Sequence, residues 1–193
     1  MLIKTDFDVS QPVDKVWHFF DDIPQVAACL PGAQLTEDLG NDRYKGKVAV
    51  RMGPVKLQFA GTAEIKERDD AGKRIVVDAA GADEKGRGQA AMLLTARLTQ
   101  VAGGTKVSVD QDLQLQGAAA QYGRGMITDV STVLMHDFAA NMQRRIAAIE
   151  RGESVETKSA EAAGGVGIGL RALIMALSRL FRRLFLPYRP AAS

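Results

Sequence analysis

A regular alternation of apolar and polar residues through the middle of the chain limits the folds available to it. Tyr44 stands between two basic residues, and Leu57 stands between a lysine and a glutamine. This period of two continues to about residue 116, interrupted by turn sequences at Gly53-Pro54, 69–73 and Gly103-Gly104. Successive side chains of a strand point to opposite faces, so the pattern predicts an antiparallel sheet with one dry and one solvated face.

The dry face of this sheet requires a cover, and one long helical segment is available. Residues 122 to about 150 carry apolar side chains three or four positions apart, as in an amphipathic helix. These side chains are Ile127, Val130, Leu134, Phe138, Met142 and Ile149. A strand at residues 2–10 and two short helical segments come before the sheet region. The sequence therefore predicts an α+β fold in which an antiparallel sheet curls round one long C-terminal helix.

The end of the chain has a different composition from the body. Residues 152–165 are small and polar without periodicity, which predicts a flexible linker after a domain at residues 1–151. Five arginines and no acidic residue follow Glu161, and residues 166–193 are predicted to form a separate basic amphipathic tail helix. Its predicted membrane-binding residues are Leu173, Leu177, Leu180, Phe181 and Leu184 on the apolar side and Arg179, Arg182 and Arg183 on the opposing arc.

The arginines of the tail favour a helix that lies on a membrane over one that crosses it. Each arginine at the bilayer centre costs about 3 kcal/mol or more, whereas near anionic lipid each contributes about 1 kcal/mol of attraction. We therefore expect a cytoplasmic protein that is peripheral on the inner face of the cell membrane. A helix that docks in the groove of a protein partner is the alternative.

The remaining composition argues against several classes of function. One cysteine, Cys29, excludes an internal disulfide, and with His18 and His136 it gives no metal-ligand spacing, so no metal site is expected. The first ten residues contain no apolar segment of signal-peptide length. The sheet lacks interleaved aromatic and basic residues, so a nucleic-acid partner is not expected.

Several short motifs resemble a known family. They include 12–17 (PVDKVW), 29–32 (CLPG), 52–55 (MGPV), 59–61 (FAG), Gly104-Thr105, Gly117 and Asp137-Phe138. Together with the order of elements, they resemble the carbon monoxide dehydrogenase G-subunit family within the START-like (SRPBCC) superfamily, over about residues 1–150. The resemblance implies a helix-grip fold with a lipophilic cavity, a membrane anchor, and a molybdenum hydroxylase such as carbon monoxide dehydrogenase as partner. A quinone, or another isoprenoid or lipid, would suit as cargo because such an enzyme must pass electrons to the membrane, and no cofactor is assigned.

Small and flexible residues on the predicted dry face suit such a cavity. The residues predicted to contact a hydrophobic ligand are Tyr44, Val48, Phe59, Gly61, Ala79, Ala90, Met92, Leu94, Gln111, Met126, Val130, Leu134 and Phe138. Gln111 and Tyr44 are the polar groups among them, and Asp137 and Asn141 lie at the edge of the helix stripe. No catalytic residue is predicted, and a non-catalytic binder is therefore the first hypothesis. The alternatives are a START-like enzyme of cyclase or hydratase type that uses Tyr44 or Gln111, and an adaptor with a filled core and no ligand.

Overall fold

The computed structural model describes residues 1–153, and within them the predicted order of elements is confirmed. The strands are β1 (Leu2–Val9), β2 (Ala33–Gly40), β3 (Arg43–Met52), β4 (Val55–Asp69), β5 (Arg74–Asp83), β6 (Gly88–Val101) and β7 (Gly104–Gly117). The helices are α1 (Val13–Phe19), α2 (Ile23–Cys29) and α3 (Arg124–Glu150), with a short 3-10 turn at Ala118–Gln121. The predicted linker from residue 154 onward and the whole tail helix, with its membrane-binding leucines and arginines, lie outside the described residues.

All seven strands form one antiparallel sheet in the order β1-β7-β6-β5-β4-β3-β2. β2 to β7 follow one another as a meander, since turns of a few residues connect them. β1 returns to pair with the last strand, where Ile3 faces Gln111 and Phe7 faces Val107. Consequently α1 and α2 carry the chain from one edge of the sheet to the other, and α3 covers the inner face.

Two apolar clusters fill the two ends of the space beneath α3. The first cluster contains Phe7, Val9, Val16, Trp17, Phe19, Phe20, Cys29, Ile75, Ala96, Leu98, Val107, Val109, Ala139, Met142 and Ile146. The second cluster contains Ile3, Met52, Leu57, Phe59, Ala119 and Ile127. The indole of Trp17 anchors the first cluster at its edge, where its Nε1 donates to Asp70 over 2.7 Å and Arg68 stacks at 4.5 Å from the ring centre.

Helix α3 buries a stripe that differs in part from the predicted one. Ile127 and Met142 are buried as predicted, but the expectation for Ile149 is wrong, since that side chain is 50% exposed. Ile146 is buried instead. The reason is that α2 packs against this half of α3, where Asn141 Nδ2 donates to the carbonyl of Cys29 over 2.8 Å. Within the described part of the chain, no helix is long and apolar enough to cross a membrane.

Candidate ligand-binding site

The strand register places the small inner-face residues in two adjacent rows that cross the centre of the sheet. The first row runs through Tyr44, Ala63, Ala79, Met92 and Leu113, each facing the next across a strand pair. The second row runs through Gly46, Gly61, Gly81, Ala90 and Leu115 in the same way. Across β4 and β5, alanine therefore faces alanine in the first row and glycine faces glycine in the second. The centre of the sheet presents little side-chain volume to the helix.

Part of this shortage of side chains is required by the backbone. A Cβ on Gly61 would lie 2.0 Å from the carbonyl oxygen of Ala80 and 2.5 Å from Cα of Gly81. No side chain fits so close to a neighbouring strand, so Gly61 permits the tight approach of β4 and β5 in addition to lowering the volume of the row. The alanines of the first row already carry a Cβ, and their small size bears directly on the space under α3.

Several residues that face α3 belong to neither apolar cluster. Tyr44, Ala63, Ala79 and Met92 on the strands, with Val130 and Leu134 on the helix, are half-buried and lie outside both sets. Helix α3 lies closest to β1 and β3 among the strands, which places it over the flanks of the curved sheet. Solvent therefore reaches this part of the inner face more than it reaches the buried members of either cluster. We call this region the central gap.

The other predicted ligand contacts flank the central gap. Val48 and Phe59 face each other on the side of the second cluster, where Phe59 is buried. Leu94 and Phe138 pack on the first cluster, and the Phe138 ring meets Phe7 edge-on at 6.1 Å between centroids. Met126 is 43% exposed on the first turn of α3. The structure thus places most of the predicted set on one face, in three zones instead of one continuous lining.

Gln111 is the most unusual polar group on the inner face. It is 6% exposed, and its Oε1 accepts a hydrogen bond of 3.1 Å from Oγ of Ser131 on α3. Its Nε2 is buried and has no hydrogen-bond partner among the described residues. On β1, the Oγ1 atom of Thr5 is also buried and has no hydrogen-bond partner among the described residues. The sequence analysis singled out neither Thr5 nor Ser131, although Thr5 alternates with Ile3 and Phe7 on β1 and Ser131 stands one helical turn after Ile127.

Tyr44 and Gln111 do not form one polar site. They lie four strands apart, which is about 19 Å along the sheet at a strand spacing of about 4.8 Å. Burial, together with the carboxylates of Asp38 and Asp42, raises the pKa of the Tyr44 phenol. Tyr44 consequently stays a neutral hydroxyl at physiological pH. The enzyme alternative named either Tyr44 or Gln111 as its polar group, and at this separation one small ligand contacts only one of them.

One buried carboxylate was missed by the sequence reasoning. Asp83, at the end of β5, is 4% exposed and accepts hydrogen bonds from Nε of Arg87 at 2.7 Å and from the backbone N–H of Gln58 at 3.0 Å. These bonds, the one from Arg87 first, hold the pKa of Asp83 well below its usual range. A carboxylate that hydrogen bonds from Arg87 and Gln58 hold in its charged form is unsuited to proton transfer at neutral pH.

The other polar residues that the sequence drew attention to are on the surface or have structural partners. Asn141 ties α3 to α2, while Asp137 and His136 are exposed. His18 is also exposed and lies 3.3 Å from Asp21. Residues 1–153 contain no group of three potential metal ligands. A shallow open depression behind the two rows belongs mainly to the outer face, where it is lined by Ala80, Ala82, Gln89, Ala91, Gln114 and Gln116.

Comparison with solved structures identifies the architecture. A conserved protein from Geobacillus kaustophilus superimposes with a TM-score of 0.68 at 21% identity, over 76% of this chain and 95% of that one. The Zhui aromatase/cyclase from Streptomyces sp. R1128 gives 0.56 at 16% identity, over 86% and 99%. Ara h 8.0201 gives 0.53 at 14% identity, over 77% and 98%. At these identities the likeness shows the fold alone, an antiparallel sheet packed against a long C-terminal helix.

Comparison of the sequence with family models adds a more specific result. The model of the carbon monoxide dehydrogenase G subunit (CoxG) matches residues 6–147, which contain all but the ends of the described structure. No curated protein matches the sequence. The matched segment includes the central gap, Gln111 and the greater part of α3.

Proposed function

Since the chain belongs to the CoxG family of carbon monoxide dehydrogenase proteins, we propose that it is a non-catalytic binder of a hydrophobic ligand that links a molybdenum hydroxylase to the membrane. The ligand class is a quinone or another isoprenoid or lipid. The partner is an enzyme of the carbon monoxide dehydrogenase type, as the family name indicates. The site of action is the cytoplasmic surface of the cell membrane.

The central gap is the observation that carries the ligand-binding part of this proposal. Its side chains are apolar or small, face the covering helix, and stay half-buried although the clusters on both sides are closed. Protein interiors normally pack to crystal-like density, so an apolar stretch that stays accessible under a helix suits an apolar guest. Met92 in the first row adds a flexible, polarisable surface that adapts to the shape of such a guest.

The chemistry of the site supports binding over catalysis. The inward side chains of the two rows carry one titratable group, Tyr44, and its raised pKa keeps it protonated. Asp83 is held by Arg87 in a turn and is not available as a base. A general acid or base needs a pKa near the working pH and a position within reach of the reacting atom. Neither group meets both conditions.

The membrane part of the proposal depends on the sequence of residues 166–193. Five arginines and a leucine face on one amphipathic segment suit an interfacial helix on anionic lipid. A hydrophobic ligand held in the described domain and a tail that holds the protein on the bilayer serve the same end.

Native extraction tests the ligand directly. The full chain is purified without detergent, extracted with organic solvent, and the extract is analysed by mass spectrometry against an equal amount of the Ala79→Phe variant. A stoichiometric isoprenoid or lipid from the wild type, reduced in the variant, supports the proposal. If neither protein yields such a molecule and added isoprenoids do not bind, the domain is an adaptor without ligand and the proposal is wrong.

Deletion of the protein in its host tests the link to the oxidoreductase. We expect the partner enzyme to remain assembled and active with a soluble dye, because a ligand carrier takes no part in its chemistry. Electron transfer to the membrane should fail. Loss of the dye-linked activity as well would indicate a role in enzyme assembly and would contradict the carrier function.

A further inference from the structure

Three buried polar side chains lie near one another on the inner face beneath α3. Gln111 is 6% exposed, and Thr5 and Ser131 are each 9% exposed. Ser131 Oγ donates to Gln111 Oε1, which fixes the side-chain amide with its NH2 group turned away from the helix residue. A single bond within a buried polar set leaves most of its hydrogen-bonding capacity unused.

Two atoms of this set are buried without partners in the part of the chain that the structure describes. They are Nε2 of Gln111, with two N–H donors, and Oγ1 of Thr5. Orphaned buried polar atoms are rare in folded proteins, because each loses its hydrogen bonds to water without replacement. Two of them on one face, beside a hydrogen bond that already orients the amide, point to a group that the interior is built to receive.

The register places Gln111 next to the central gap, diagonal to Met92, and places Thr5 one strand further out. Gln111 stands between Ile3 on β1 and Leu94 on β6, and Thr5 faces Val109. Thr5 is therefore the diagonal neighbour of Gln111, at roughly 7–8 Å between backbone positions, which is within reach of a long side chain. On the other side, Leu113 and its cross-strand partner Met92 continue into the first row. One molecule in the gap therefore has access to the amide.

We infer that Gln111 Nε2 donates a hydrogen bond to a carbonyl oxygen of the bound ligand, so that the ligand is a carbonyl-bearing hydrophobic molecule and not a plain hydrocarbon. A carbonyl is an acceptor without a proton, which suits the two N–H donors of a fixed amide. Thr5, which donates or accepts, takes a second oxygen of the same molecule or a bridging water. This inference depends on the proposed function, since it names the chemical class of the ligand for the same site.

A matched pair of probes tests the role of Gln111. The probes are 2-acetylnaphthalene and 2-ethylnaphthalene, which share a ring system and differ by the carbonyl. Their affinities for the full chain are measured by fluorescence titration with the wild type and with Gln111→Leu. We expect the preference for the ketone to be roughly 5- to 10-fold larger in the wild type than in the variant, because the variant loses one hydrogen bond to the carbonyl. The carbonyl stretch of the bound ketone should lie at lower infrared frequency in the wild type than in the variant.

The controls separate this inference from the proposed function. Gln114→Leu makes the same substitution on the exposed outer face of β7, and it should leave the preference and the infrared band unchanged. Gln111→Met replaces Gln111→Leu if the latter does not show wild-type circular dichroism. If both probes bind but neither variant alters the preference or the band, water alone satisfies Gln111 and this inference is wrong while the ligand site stands. If neither probe nor any isoprenoid binds, both proposals are overturned.

Discussion

Phenylalanine at two inner-face alanines should have opposite effects on stability and ligand binding. Ala96 lies inside the first cluster between Ile75 and Val109 and is 3% exposed. Ala79 lies in the first row between Ala63 and Met92 and is half-buried in the central gap. The two positions share a fold, a face and a native side chain, so each substitution serves as the control for the other.

The expected magnitudes follow from packing. Ala96→Phe overpacks a closed cluster, which typically costs about 1–3 kcal/mol. For a domain of this size that cost corresponds to a lowering of Tm by roughly 2–12 °C, at about 2–4 °C per kcal/mol. Ala79→Phe places its ring where space remains, so its cost should stay below about 1 kcal/mol. The same ring should occupy the volume that the ligand needs.

Two measurements are needed, because bound ligand itself raises Tm. Thermal unfolding by circular dichroism is followed on full-length protein after ligand removal on a hydrophobic resin. Ligand content is measured by mass spectrometry on protein as purified. We expect Ala79→Phe to retain its Tm and lose its ligand. An Ala79→Phe protein that is destabilised as much as Ala96→Phe, or that keeps a full complement of ligand, would show that the gap is a filled core.

Three further predictions concern other parts of the chain. Burial raises the pKa of the Cys29 thiol to about 11, so about one thiol in a thousand is ionised at pH 8. Iodoacetamide should therefore label the native protein far more slowly than the unfolded protein. Equal labelling rates would contradict this prediction. The folded-state pKa of Asp83 is lowered, so its charge stabilises the fold above about pH 4. The Tm difference between the wild type and Asp83→Asn should therefore shrink as pH falls below about 4. A Tm difference that is constant from pH 7 to pH 3 would refute this prediction. Replacing Arg179, Arg182 and Arg183 by Glu should abolish most sedimentation with anionic liposomes while the Tm of the domain stays the same, and unchanged sedimentation would favour a protein-docking tail.

Local periodicity was sufficient to predict the elements and the faces of this fold. A period of two fixes which side of a strand each residue occupies, and so Tyr44, Ala79 and Gln111 are assigned to the inner face by the sequence pattern alone. The length and spacing of the segment from residue 122 predict one covering helix, and α3 confirms it at Arg124–Glu150. Short motifs over residues 1–150 indicated the family, which the match at residues 6–147 confirms.

The sequence did not show which inner-face residues lie in a closed cluster and which lie in the central gap; that required the tertiary structure. Ala79 and Ala96 look alike in sequence, because alternation reports the face of a strand and not what lies opposite it. The register carries Ala96 into the first cluster beside Val109 and carries Ala79 to Met92, under a helix whose nearest strands are β1 and β3. Likewise, Ile146 is buried and Ile149 is not, because α2, distant in sequence, covers that part of α3.

The buried polar residues under α3, Thr5, Gln111 and Ser131, also depend partly on the local sequence and partly on the tertiary structure. The sequence by itself determined that Thr5 and Gln111 face inward, since each stands in register with apolar neighbours on its own strand. Only the pairing of β1 with β7, across more than a hundred residues of chain, makes them diagonal neighbours, and only the seating of α3 brings Ser131 to the Gln111 amide. Periodicity is a local property of the chain, whereas a partner for a buried hydrogen-bonding group is decided by which distant segments the fold brings together.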